Sequence, residues 1–177
     1  MDRLRAASPL ELFAALDRLG IAHHSVSHPP LFTVAQSQAL RGMIPGGHTK
    51  NLLLRDKRGP VFLVVALEEA VIDLKTLHLR LGAARLSFAS PGLVRDLLGV
   101  EPGSVTPFGL INDQAQLVTA ILDAEMMRLP RLNFHPLVNT MTTSLASEDL
   151  CRFLAAIDHP PRVVAVARDS PGARAEP

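Results

Sequence analysis

Hydrophobic positions along the chain change period several times, and each change marks an element. Ser8-Pro9-Leu10-Glu11 sets a capping serine, a first-turn proline and a returning glutamate ahead of apolar residues at helical spacing. A helix to about Leu19, stopped by Gly20, is predicted. Ala22 to Ser27 alternates loosely before Pro29-Pro30 and reads as a short strand that the prolines end. Thr33-Val34-Ala35-Gln36 repeats the capping pattern and predicts a second short helix to about Leu40. The segment Arg41 to His48, with Gly42, Pro45, Gly46 and Gly47, reads as a loop whose backbone amides can face a ligand.

Asn51 to Arg55 and Val61 to Leu67 are aliphatic runs joined by Asp56-Lys57-Arg58-Gly59, which together predict a hairpin of central strands with a charged turn. Asp73 caps a helix through Leu81 that ends at Gly82, and Ser90-Pro91 starts another that ends at Gly99. Further strands are expected at Arg85 to Phe88, Leu117 to Leu122, Arg131 to Phe134, Thr140 to Ser144 and Arg162 to Val166. Ser147 is expected to cap a last helix to about Ile157. Residues 168–177 lose aliphatic content and gain Pro, Gly and charge, so a frayed tail is expected after a single domain over 1–167. Strands interrupted by single short helices, with at least one hairpin, argue for an α/β fold on a mixed sheet of about six or seven strands around one core.

Composition narrows the class. A chain of 177 residues that is 47% hydrophobic and 20% charged supports one core and is thin for two. A net charge of +1 excludes the polycationic arm that non-specific nucleic-acid binding requires, though not contact with a few phosphates. The lone cysteine, Cys151, cannot close an internal disulfide, and no basic, apolar and small-residue succession opens the chain. A cytoplasmic protein is expected. The longest apolar run, Val61 to Leu67, falls far short of the roughly 20 residues that span a bilayer, so no membrane role is expected.

Several catalytic patterns fail on spacing. Gly42 to Lys50 lacks the Gly-Lys-Ser/Thr ending of a phosphate-binding loop, because His48 and Thr49 separate Gly47 from the lysine. No G-x-S-x-G elbow presents a serine, and Cys151 falls in an amphipathic helix where a small buried hydrophobe is the ordinary explanation. No pair of histidines shows H-x-x-x-H or H-E-x-x-H on a helix, and the adjacent His23 and His24 diverge on a strand. No metal and no cofactor are expected.

Three segments remain: Ile44-Pro45-Gly46-Gly47-His48-Thr49-Lys50-Asn51, Gly103-Ser104-Val105-Thr106-Pro107 and Asn133-Phe134-His135-Pro136. Taken singly, Lys50 reads as a solvated strand-end lysine, Gly103 to Pro107 as a turn, and His135 as a hydrogen-bonded structural histidine. Their order and spacing together resemble the aminoacyl-tRNA editing domains of the YbaK and prolyl-tRNA synthetase type. Within that family the chain is most similar to the free-standing prolyl-tRNA editing branch, from about Leu12 to Val166.

That resemblance implies a mixed, partly barrel-like sheet with helices packed outside, and hydrolysis of alanine wrongly esterified to proline tRNA. It implies that Lys50, Gly103 and His135 carry the chemistry, with Pro107 closing the G-x-x-x-P loop. His48, Asn51, Val65 and Phe108 are expected around the substrate, with Leu67 and Leu110 in the pocket wall. An aminoacyl ester needs orientation, a water and oxyanion stabilisation more than a protein nucleophile. A pocket too small for proline supplies the selectivity that a synthetase lacks. Arg41, Lys57 and Arg58 are candidates for acceptor-stem phosphates, with solvated surface charge as the equal alternative. The implied partner is the acceptor end of mischarged proline tRNA, with prolyl-tRNA synthetase or an elongation factor as transient associates and no DNA. Two other classes stay open: a tRNA-binding module without chemistry, and a hydrolase of free small amino-acid esters.

Overall fold

Strand β3 (Val61–Leu67) is buried on both faces, and the fold is organised around it. In the computed structural model the described residues are 5–31, 34–41 and 43–168. Side chains alternate across a strand, so Val61, Leu63 and Val65 enter a larger core while Phe62, Val64 and Ala66 enter a smaller one. Helices α1 (Pro9–Arg18), α4 (Pro91–Leu98) and α5 (Ser147–Ala156) cover the larger core with Leu12, Leu16, Leu98 and Phe153. Helix α3 (Leu74–Leu81) covers the smaller one with Leu77 and Leu81, and α2 (Val34–Arg41) follows β1.

The hydrogen-bonded order is β1 (His23–Ser27), β7 (Met141–Ala146), β6 (Arg131–Phe134), β2 (Gly47–Asp56), β3, β5 (Val118–Asp123) and β8 (Arg162–Val164), with β4 (Leu86–Phe88) paired to β2. The sheet is mixed: β2 runs parallel to β6 and antiparallel to β3, while β3, β5 and β8 run parallel. Its eight strands exceed the expected six or seven because β4 and β8, of three residues each, both join.

The local signals explain most boundaries. Ser8 and Glu11 form the reciprocal capping box, Asp73 accepts from the Lys75 amide, and Ser90 accepts from the Leu93 amide. Gly82 and Gly99 close their helices in the left-handed conformation, at φ 67° and 64°. Thr33 lies outside the described residues.

Several boundaries differ from expectation. Ala146 is the N-cap residue of α5, because the Ser147 hydroxyl instead donates to the Leu129 carbonyl at 2.6 Å. The turn expected after Gly99 is two short 3-10 helices, Pro102–Ser104 and Pro107–Asn112, each opened by a proline. β2 starts at Gly47, four residues before Asn51, and Arg41 belongs to α2, so the loop between them is shorter than Arg41 to His48. Gly47 is there for packing: a Cβ on it would stand 2.6 Å from Leu129 Cδ1. The turn itself is made by Gly46, at φ 111°.

Two tethers fix the C-terminal part. His159, beyond α5, meets Asp113 at 3.0 Å with both side chains almost wholly buried, and the same carboxylate accepts from the Leu117 and Val118 amides. Arg168, the first residue of the expected tail, donates its amide to the Val71 carbonyl and its guanidinium to Asp73, each at 2.8 Å. Residues from 169 onward lie outside the described residues. No helix among the described residues is long and apolar enough to cross a membrane.

Candidate active site

One edge of β2 has two owners. Gly47 and His48 pair with β6, Leu54 to Asp56 pair with β4, and residues 49–52 between them have no strand partner on that edge among the described residues. Backbone polar groups of successive residues point to opposite edges of a strand, and those of residues two apart to the same edge. The His48 carbonyl accepts from Glu68 on the β3 side and the Leu53 carbonyl accepts from Ala89 on the other. The amide and carbonyl of Asn51, two residues before Leu53, therefore face the gap.

A cleft of about 50 Å³ opens at this gap, lined by His48, Thr49 and Asn51 from β2, Asn133 and His135 from β6 and its end, and Thr142 from β7. Its frame is tightly bonded. Thr49 Oγ1 donates to the Asn133 carbonyl at 2.8 Å, Asn133 Nδ2 donates to the Pro45 carbonyl at 3.2 Å, and the Ser144 hydroxyl donates to Asn133 Oδ1. Against that frame two buried polar atoms have no partner among the described residues: Asn51 Oδ1 and His48 Nε2. Burying such an atom unpaired costs about 1–3 kcal/mol, a cost that a ligand donating to it would remove.

His135 adds a third group. Its Nδ1 lies 3.0 Å from the Met141 carbonyl, which only accepts, so Nδ1 carries the proton and Nε2 keeps a lone pair. Burial holds its pKa below the ordinary 6.5, the Met141 carbonyl opposes that shift, and neighbouring His28 adds to it. His28 itself donates from Nδ1 to the Pro29 carbonyl at 2.8 Å and accepts at Nε2 from the Thr142 hydroxyl at 2.8 Å. The two imidazole centroids stand 6.3 Å apart. Among the described residues, no three His, Cys, Asp or Glu side chains gather as a metal site.

A family model described as the aminoacyl-tRNA editing domain matches residues 28–153, a span that includes every residue of this cleft. The chain belongs to that family. Prolyl-tRNA synthetase associated domain-containing protein 1 of Danio rerio is 36% identical over 156 residues, covering 87% of this chain and 85% of the relative. Prolyl-tRNA editing protein ProX of Acetoanaerobium sticklandii is 34% identical over 146 residues, covering 82% and 89%. A crystal structure described as a candidate trans-editing enzyme for prolyl tRNA synthetase superposes with a TM-score of 0.70 at 19% identity, covering 92% of this chain and 99% of its own. That likeness concerns the fold, and the α/β fold and family expected from the sequence both hold.

Within this editing domain the expected site residues separate into groups. His48, Asn51 and His135 come together in the cleft. Lys50 lies between two of them but is not in the lining, and its Nζ donates to the Ala70 carbonyl beyond β3. Val65 sits opposite Asn51 in the ladder and is fully buried, as is Phe108, which packs edge-to-face on Phe134 and Phe153 at 5.8 and 5.5 Å. Pro107 and Leu110 are likewise core residues, and Leu67 lines a neighbouring cleft. Gly103 is exposed, and a Cβ there would stand 3.8 Å from Asn139 Nδ2. Lys57 and Arg58 form the hairpin turn, six residues and roughly 20 Å along the strand from Asn51 at about 3.3 Å per residue. Arg58 is bonded there to Asp56 through its amide, at 2.7 Å. Arg41 ends α2, with its side chain outside the described set.

Sequence reasoning quoted Thr49 and Asn133 within its segments without giving them a place in the site, and it missed Thr142. Only strand pairing joins them, since His48 aligns with Asn133 across β2 and β6, and Asn133 with Ser144 across β6 and β7.

Proposed function

We propose that this editing domain is a trans-acting deacylase that hydrolyses the ester of alanine wrongly attached to proline tRNA, in the cytoplasm where translation runs. The observation that carries the reading is the pair of unpartnered buried atoms, Asn51 Oδ1 and His48 Nε2, beside the free Nε2 lone pair of His135 in one small cleft. An aminoacyl ester presents an α-ammonium, ribose hydroxyls and an ester carbonyl. Acceptors suit the first two. Asn51 Oδ1 accepts a hydrogen bond from the ammonium, and His135 Nε2 accepts one from a ribose hydroxyl or takes a proton from the attacking water.

Water adds to the ester carbonyl, the bond from that carbon to the ribose oxygen breaks, and the proton moves from water to the leaving ribose oxygen. The products are free alanine and deacylated tRNA. The Asn51 amide facing the gap is a donor for the negative charge that develops on the carbonyl oxygen. Lys50 has two further N–H donors besides the one given to Ala70, and its charge favours the same oxyanion or a nearby phosphate. Val65, Pro107 and Phe108 act on this reading through the wall behind the cleft, which admits a methyl side chain and excludes the proline ring, while exposed Gly103 lies outside that wall. Support for the substrate class comes from the relatives, whose names refer to prolyl-tRNA or its synthetase.

Hydrolysis of alanine-charged and proline-charged proline tRNA by the purified protein tests the assignment. Release of alanine with proline retained is the expected result. Cleavage of neither substrate above the buffer rate overturns the reading, and cleavage of free alanine esters at the same efficiency removes the tRNA from it.

A further inference from the structure

The small cleft is the end of a line of three. The second, of about 840 Å³, shares His48 with it and has apolar surfaces from Leu67, Leu129, Pro45 and Pro130. The third, of about 280 Å³, shares Pro45 and Arg131 with the second and adds Met43 and His24. Arg131 stands at the junction of these two, solvent-exposed, and its guanidinium has no hydrogen bond or ion pair among the described residues. Met43 is 73% exposed, unusual for an apolar side chain in a cleft.

We propose that the line is the track for the single-stranded 3′ end of the tRNA, an inference that rests on the deacylase reading of the first cleft. With the aminoacyl group beside Asn51, the terminal adenosine occupies the second cleft against Leu67 and Leu129. Its 5′ phosphate meets Arg131. The preceding base lies over Met43 in the third cleft.

Three features favour this occupant over a protein segment or a small metabolite. Each cleft shares lining residues with the next, so the second and third adjoin the one that takes the ester in the succession that linked nucleotides require. Apolar surfaces alternate with a free guanidinium, which matches the alternation of bases and phosphates along a single strand. The carboxylate of Glu69 on the second cleft repels a phosphate there but accepts from ribose hydroxyls or a base amino group, so the phosphate is directed to Arg131. Arg131 is also remote from Lys57 and Arg58, so the track is separate from any stem contact made at the β2–β3 turn.

Binding without catalysis tests this and leaves the deacylase assignment aside. The probes are an uncharged proline-tRNA acceptor minihelix and the same minihelix lacking its 3′ CCA, titrated over a range of salt. For the full minihelix, Arg131→Ala is expected to reduce the log–log salt slope by about 0.7, the share of one single-strand phosphate. Arg131→Lys should restore it, and Arg128→Ala, three residues away and outside all three clefts, should match wild type. For the truncated minihelix, Arg131→Ala should have no effect. An unchanged slope with the full minihelix overturns the track, and so does an equal loss with both, which would move Arg131 to the stem. Failure of hydrolysis with this binding pattern intact would count against the deacylase reading alone.

Discussion

His135 gives its Nδ1 proton to the Met141 carbonyl 3.0 Å away, and the cleft therefore receives the unprotonated face of the ring. Burial holds the pKa of this histidine below 6.5, so it stays neutral as the pH falls through that value. The acid limb of kcat/KM due to His135 is expected below pH 6.5, and a pH–rate profile checks it. The sign for stability follows. The unfolded chain takes up the proton first, so this residue's contribution is complete above 6.5 and is lost as pH falls through the lower folded value. His135→Phe should remove the limb and lower kcat/KM on the order of tenfold to a hundredfold, the cost of a donor left unpaired.

Asn51 carries an acceptor that nothing among the described residues satisfies. Replacing it with leucine removes the unpaired atom and should leave the melting temperature unchanged or raise the stability by about 1 kcal/mol, while kcat/KM falls at least about tenfold. Thermal melts and deacylation assays on one preparation test the combination. A variant that loses stability and activity together would make Asn51 a structural residue.

Lys50 has a tie to Ala70 and a charge to offer the reaction. Lys50→Ala should lower kcat on the order of a hundredfold or more, as loss of an oxyanion donor does, and cost about 1 kcal/mol of stability for the missing bond. Lys50→Arg should recover little, because a planar fork does not replace a compact ammonium. An unchanged kcat with a lowered melting temperature would reduce Lys50 to a brace for the chain after β3.

Asp113 and His159 predict the opposite pattern. Asp113→Ala leaves His159 and the amides of Leu117 and Val118 without their buried acceptor, and should destabilise the fold by about 3–5 kcal/mol. Denaturant unfolding measures that. Activity per folded molecule should be unchanged, since neither residue lines the cleft.

Elements whose signals are local were legible in the sequence. Ser8, Asp73 and Ser90 cap as their types require, and the run from Val61 to Leu67 is the strand buried on both faces. Gly47 misled because glycine serves both turns and close packing, and only the nearness of Leu129 and Leu67 tells which. Ser147 misled because a competing acceptor, the Leu129 carbonyl, lies 18 residues away. The cleft was half visible. His48, Asn51 and His135 fall in the recognisable segments, and so does Asn133, but the role of Asn133 and the places of Thr142 and Arg131 come from pairing among β2, β6 and β7, a long-range register that local pattern does not encode.

The unpaired stretch of β2 between β6 and β4 also bears on fidelity. A pocket cut where two ladders separate can widen without breaking any bond of either ladder, so its backbone does not act as a calliper. On the deacylase reading proposed above, telling a methyl group from a five-membered ring then falls to the side chains that line the cleft. On that reading, accuracy should fall with rising temperature sooner than speed.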